Sequence, residues 1–223
     1  MGARIDVLRF GVTNSYLLRD RGAVLIDPGW PPRVRAVPRA LLSLLGSPPR
    51  LDLMVLTHAH WDHVGGARRL REATAAPVAV HHADAGWLRE GTKAWPKGTT
   101  AWGRTFRTLV APLMIPFIRV PAIAPDVLIG DEGLDLAPYG VDGRVVHTPG
   151  HSPGSVSVVL PSGEAFVGDL AMNGPPMCLR PRFGVFAHEP ELVPASWRRL
   201  LELGVQTVYP AHGRPFPASA LPA

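Results

Sequence analysis

Residues 56–66, LTHAHWDHVGG, put three histidines and an aspartate into six positions: His58, His60, Asp62 and His63. The whole chain of 223 residues has nine histidines. Histidine is costly to bury without a partner, so a cluster this dense needs a chemical reason. Imidazole and carboxylate donors together suit zinc, iron or manganese better than calcium or magnesium. One ion could not take all four donors from so tight a turn without strain. The four can be divided, His58 and His60 to one ion, Asp62 and His63 to another. Each ion then lacks a histidine, and the chain still offers His151 and His212. Asp169 is the candidate carboxylate to bridge them. Two divalent ions about 3.5–4 Å apart can activate a water between them and polarise a substrate oxygen. Zinc is the leading expectation, with iron and manganese compatible. Asp62 is the candidate catalytic residue, placed to orient the water and accept its proton.

Those residues must be positioned by something, and the hydrophobic pattern says what. Asp20-Arg21-Gly22 reads as a tight turn between two strands, the second covering 23–26 and followed by Asp27. A helix is predicted over 33–45, from apolar spacing at Val34, Val37, Leu41, Leu44 and Leu45. LDLMVLT is a buried strand running into His58, GGARRLREAT a short helix, and PVAVHH another strand. GRVVHT, SVSVVL and EAFVGDL are three strands in close succession, the last two turning at Pro161-Ser162-Gly163. A helix over about 190–203 and the strand VQTVYP end the pattern. Asp27, His58, His151, Asp169 and His212 all follow strands. A sheet fixes the backbone at such ends while the loop exposes the side chain. Alternating strands and helices beside strand-only runs predict sheets covered by helices.

The motifs in order resemble a known family. H-x-H-x-D-H at 58–63, HTPGHSPGS at 147–155, VGD at 167–169 and PAHG at 210–213 look like the metallo-β-lactamase fold superfamily of hydrolases. LIDPG at 25–29 resembles that superfamily's first motif, whose aspartate supports the site. The resemblance runs from about Asn14 to Gly213. It implies an α+β fold, a four-layer αββα sandwich with the metals along one edge of the two sheets. It also implies His58, His60 and His151 at one ion, Asp62, His63 and His212 at the other, and Asp169 between. The whole chain, 1–223, is expected to be one such domain with an inserted or lid-like segment at about 87–125. Several branches share these ligands, among them thioesterases of the hydrolytic glyoxalase kind and acyl-homoserine lactonases. Many such lactonases place a tyrosine three residues after the bridging aspartate, where this chain has Met172. True metallo-β-lactamases generally lack a bridging aspartate at this motif, so Asp169 argues against β-lactams as native substrates. The reading is a hydrolase of an ester, lactone or thioester. The alternatives are a phosphodiesterase and an iron-dependent oxidoreductase like the persulfide dioxygenases.

The segment over 87–125 is the part most particular to this chain. Phe106, Leu109, Val110, Leu113, Met114, Phe117 and Ile118 follow a helical period. Pro112 and Pro116 interrupt it, so broken turns are expected in place of one rod. The stripe could be extra core, a lid over the metals or a homodimer contact. Trp61 and His188 are candidate substrate contacts. His81, His82 and His147 read as structural residues, and Asp27 as a hydrogen-bond acceptor that fixes its loop.

Composition narrows the class. The charged fraction is 18% and the hydrophobic fraction 46%, ordinary for a protein with a substantial core. The net charge of +5 comes from scattered arginines, without the basic arm a nucleic-acid binder would carry. A small-molecule substrate is expected, and no nucleic acid. The single cysteine, Cys178, excludes an intramolecular disulfide and fits the cytoplasm. No apolar leader follows the amino terminus, and LVAPLMIPFI is too short to span a membrane.

Overall fold

Two six-stranded sheets face each other in the computed structural model, which describes residues 2–9, 13–29, 36–46, 50–91, 95–118, 120–174 and 180–221. The strands in chain order begin with β1 (Arg4–Arg9), β2 (Asn14–Arg19), β3 (Ala23–Ile26), β4 (Leu53–Val55), β5 (Val78–His81), β6 (Lys97–Gly98) and β7 (Val127–Ile129). They continue with β8 (Leu134–Asp135), β9 (Arg144–His147), β10 (Val156–Val159), β11 (Glu164–Gly168), β12 (Phe186–Ala187), β13 (Thr207–Pro210) and β14 (Phe216–Pro217). The first sheet runs β1-β2-β3-β4-β5-β7, and the second β14-β13-β11-β10-β9-β8. β6 and β12 form a separate two-stranded ribbon. The helices are α1 (Ala36–Leu45), α2 (Trp61–Val64), α3 (Ala67–Thr74), α4 (Ala85–Glu90), α5 (Ala101–Thr105), α6 (Ala111–Met114) and α7 (Val193–Glu202).

The strands are apolar on both faces because each sheet is covered on both faces. Successive side chains point opposite ways along a strand. Leu17, Leu25, Met54, Val78 and Val80 therefore point outward, onto Leu41 of α1, Leu70 of α3 and Leu88 of α4. Their neighbours Leu18, Val24, Ile26, Leu53, Val55 and Ala79 point inward, against Val145, Val156, Val158 and Phe166 of the second sheet. That sheet turns Val146, Val159, Ala165, Val167 and Val208 to its own outer face, against Val193, Trp197 and Leu200 of α7. The result is the four-layer αββα sandwich that the sequence implies. Each fully buried aliphatic side chain contributes about 1.5–3 kcal/mol, so three such layers of packing hold the sheets rigidly.

One element departs from the sequence reading. β1 was not anticipated: it carries Arg4, Asp6 and Arg9 on an edge strand, where charge is tolerated and protects the edge. Arg19 Nε lies 2.7 Å from Asp6 Oδ2 across that pair. The start of the first helix at 33 and the lone Cys178 lie outside the described residues.

The 95–118 stretch is broken as its prolines require. α5 passes into a π-helical turn over Phe106–Val110, then α6, then a 3-10 turn over Ile115–Phe117. Pro112 and Pro116 supply no N–H for a continuous i→i−4 ladder. Its apolar stripe is not core. Leu109, Leu113 and Phe117 are exposed by 64%, 72% and 84%. The periodicity marked a face correctly, but that face looks outward.

Candidate metal centre

Every motif residue sits just past the carboxyl end of a strand. Asp27 follows β3, His58 follows β4, His151 follows β9, Asp169 follows β11 and His212 follows β13. The first two strands belong to one sheet and the other three to the second. The side chains meet where the two sheets end together.

Local geometry aims them. His60 is the extended residue ahead of α2, and this one-turn helix carries Asp62 and His63. Gly29 N–H bonds the His63 carbonyl at 3.0 Å and ties α2 to the loop after β3. Asp27 in that loop has φ +51°, a left-handed conformation uncommon outside glycine. Its carboxylate accepts from Thr57 N at 2.8 Å and Thr57 Oγ1 at 2.7 Å. Gly168 takes φ +54° directly before Asp169, and a Cβ there would collide with Thr57 Oγ1. Asp27 thus fixes its loop, as the sequence reading held.

The hydrogen bonds of these partners set the tautomers. Thr57 Oγ1 donates to Asp27 and accepts from His58 Nδ1 at 3.0 Å, leaving the lone pair on His58 Nε2. His63 Nδ1 donates to Asp27 Oδ2 at 2.9 Å, and His151 Nδ1 to the Phe186 carbonyl at 2.9 Å, so both present Nε2. His60 points its Nε2 at His188 Nε2, 3.4 Å away, and presents Nδ1. His60 Nδ1 and His151 Nε2 then lie 2.8 Å apart. Two lone pairs at that distance repel unless a proton or a cation lies between them. His58 Nε2, His63 Nε2 and Asp169 Oδ1 are buried without a hydrogen-bond partner. Buried polar atoms left this way are costly, and a shared cation satisfies them. The residues therefore fit metal.

The donors fall into sets. The ligand atoms of His58, His60 and His151 lie within 4.8 Å of one another, as do those of Asp62, His63 and His212. Asp169 faces both sets. Its Oδ1 is 3.3 Å from His212 Nε2 and 3.4 Å from His63 Nε2, and its Oδ2 is 3.6 Å from His151 Nε2. Asp62 Oδ2 is 3.3 Å from His212 Nε2 and accepts from Thr13 Oγ1 at 3.4 Å.

The sets differ in charge. Burial pushes His58 and His60 well below the ordinary imidazole value, and neighbouring imidazoles push the same way. Burial also lowers His151. These three are neutral, the form that binds metal. In the other set burial opposes charging, yet the carboxylates win. Asp62, Asp169 and Asp27 lift His63 to about 10, and Asp169 and Asp62 raise His212. In return, His63 and His212 pull Asp62 down to about 2 against burial. The metal-free chain therefore holds protons on His63 and His212 at neutral pH, and metal must displace them. While both histidines are protonated, affinity at this set is expected to fall about a hundredfold per pH unit, about tenfold for each proton displaced. Calorimetric zinc titration in two buffers of different ionisation enthalpy reads the protons released at neutral pH; identical heats would show these histidines already neutral.

His188 and Trp61 have different surroundings. His188 lies beside His60 and against Trp87, with ring centroids 4.9 Å apart. Burial, His151, Lys97 and Arg107 lower its pKa to about 4, so it stays a neutral acceptor for His60. Trp61 is half-buried at the start of α2. Two residues were missed from sequence. Trp87 stacks on His60 with an interplanar angle of 15°. Asp84 is fully buried and accepts from Ala59 N at 3.0 Å, Ser152 Oγ at 2.8 Å and Gly154 N at 2.8 Å. It joins the His58–His60 loop to the His151 loop. Nothing in HHADAG marks it apart from a helix-start aspartate; the only signal was its closeness to a strand end.

Comparison with known proteins agrees with this geometry. A Bacillus subtilis (strain 168) protein named probable metallo-hydrolase YqgX is 32% identical over 123 residues, 54% of this chain. The match spans half the length of that relative. A Haemophilus influenzae protein named hydroxyacylglutathione hydrolase GloC is 26% identical over 76% of this chain and 71% of its own. The crystal structure of TTHA1623 in a di-iron-bound form superposes with a TM-score of 0.68 and 29% identity, covering 98% of both chains. Residues 8–212 match the family model for the metallo-beta-lactamase superfamily, and the chain belongs to that superfamily.

Proposed function

We propose that this chain is a hydrolase whose dinuclear centre directs water onto an ester, lactone or thioester carbonyl, with a thioester the leading substrate class. His58, His60 and His151 would hold one ion, Asp62, His63 and His212 the other, and Asp169 would serve both. The observation that carries this reading is the Asp169 carboxylate, whose two oxygens face different donor sets. When bound, two divalent cations would lower the pKa of a water and polarise the carbonyl. Asp62, steadied by the Thr13 hydroxyl, accepts the proton of the attacking water. His188 holds the His60 ring in place and, with Trp87, walls one side of the centre. Lys97 and Arg107 stand near enough to His188 to depress its pKa, so this side is positive. That suits a substrate carrying an anionic group. The name of the Haemophilus relative supports an acyl thioester.

Metal analysis of protein purified without added metal, with a panel of thioester, lactone, phosphodiester and β-lactam substrates, tests the proposal. Zinc with thioester or lactone turnover is the expected result. Iron, with oxygen-dependent persulfide oxidation and no hydrolysis of the panel, would replace it with the redox reading that the di-iron neighbour favours.

The exposed stripe is assigned as a lid rather than core. β6 pairs with β12, and Thr99 bonds Val185 O and Gly184 O, which anchors the stripe's base beside the His188 loop. Phe106 and Trp102 pack near Phe186, whose carbonyl holds His151. Leu113→Ser with Phe117→Ser is expected to raise KM about tenfold for a long-chain or aromatic acyl thioester, from lost apolar burial. KM for the acetyl analogue should hold. Equal KM values for wild type and variant on the long substrate would remove the lid.

A further inference from the structure

A second group of imidazoles lies on the same strand-end edge of the sandwich, at the carboxyl ends of β5 and β9. β5 ends at His81, and β7, paired with it in parallel, runs on to Asp131. β9 of the facing sheet ends at His147. Three imidazole nitrogens converge on Asp131 Oδ1: His81 Nε2 at 3.2 Å, His82 Nε2 at 3.3 Å and His147 Nδ1 at 3.4 Å. The rings of His81 and His147 stack with centroids 4.0 Å apart.

Hydrogen bonding alone does not account for this convergence. His147 Nε2–H donates to the Pro153 carbonyl at 2.9 Å, so its Nδ1 lone pair faces the carboxylate. Two acceptors face each other there, and a proton or a cation must separate them. His81 is 1% exposed, and its Nε2 has no hydrogen-bond partner. One ligand atom each from His81, Asp131 and His147 lie within 4.8 Å of one another.

We propose that His81, His147 and Asp131, with His82 at the rim, form a further metal site that takes one zinc-class cation and shares no side chain with the His58–His212 centre. Two imidazoles and one carboxylate are a donor set suited to zinc, with water completing the shell. Asp131 is largely exposed, which gives the ion a path in. Loading gives up one weak contact, the 3.3 Å bond from Ala83 N–H to His81 Nδ1. The competing occupant is a proton on His147, which would pair the ring with Asp131 and bind no metal.

The test strips the full chain with chelator, dialyses it against excess zinc chloride at neutral pH, and counts bound zinc per chain. Asp131→Ala and His147→Gln are each expected to bind about one zinc fewer than wild type while keeping wild-type turnover. Equal zinc content in all three proteins would overturn the site and leave an imidazolium–carboxylate pair. The comparison reads a difference between variants, so it does not depend on how the His58–His212 centre is filled.

Discussion

Asp169→Ala is expected to lose bound metal and activity together, with kcat/KM falling by about three orders of magnitude or more, about 4 kcal/mol of transition-state stabilisation. The size follows from position. Asp169 is the carboxylate that faces both donor sets, and its Oδ1 is buried with no hydrogen-bond partner. Its own acid is held well below the ordinary carboxylate range: burial opposes this, but His212, His63 and His151 prevail. Removing it leaves two buried imidazoles short of a countercharge and leaves each metal set one oxygen poorer. His60→Ala acts on the other set and should also strip metal, since its Nδ1 faces His151 Nε2 at 2.8 Å. Metal content and turnover measured on the same folded preparation decide it. A variant that remains active without metal would refute the proposed centre.

The candidate site was legible in the sequence because its possible metal donors are polar residues at places where hydrophobic patterning predicts strand ends. His58, His60, Asp62 and His63 stand out by density. His151, Asp169 and His212 stand out by the strands before them, and the fold brings all seven within reach. The layers were legible for a related reason: Val-, Leu- and Ile-rich runs without alternation predict strands buried on both faces. Other features were not. β1 carries three charges in six residues, so only its pairing with β2 reveals it as a strand. The stripe from Phe106 to Ile118 has a helical period, but a period cannot say whether its face meets core or solvent. His81, His82 and His147 looked structural because Asp131, which they share, is about fifty residues from one pair and sixteen from the third; only the juxtaposition of β5, β7 and β9 unites them.

Asp84 belongs to the same illegible class, and its substitution tests whether the scaffold tunes the centre. Asp84→Ala is expected to leave the Ala59 and Gly154 amides unpaired in a buried place and to leave the Ser152 hydroxyl with Ser155 Oγ alone, at 2.9 Å. Each unsatisfied group costs about 1–3 kcal/mol, so a total of about 3–5 kcal/mol is expected after partial relaxation. At about 2–4 °C per kcal/mol for a chain of this size, the melting temperature should drop by about 6–20 °C. Burial raises the Asp84 pKa, and the Ser152, Ala59 and Gly154 donors oppose the rise. A purely structural role would end there. The proposed positioning role predicts more, because Ala59 lies between His58 and His60, and Ser152 directly follows His151. Loosening that strap lets the His151 ring drift from His60, and metal affinity should fall about 10–100-fold, the usual range for groups that orient ligands. Chelator competition at a temperature where the variant is fully folded separates the two effects. A lowered melting temperature with wild-type metal affinity would confine Asp84 to stability and detach it from the chemistry of the centre.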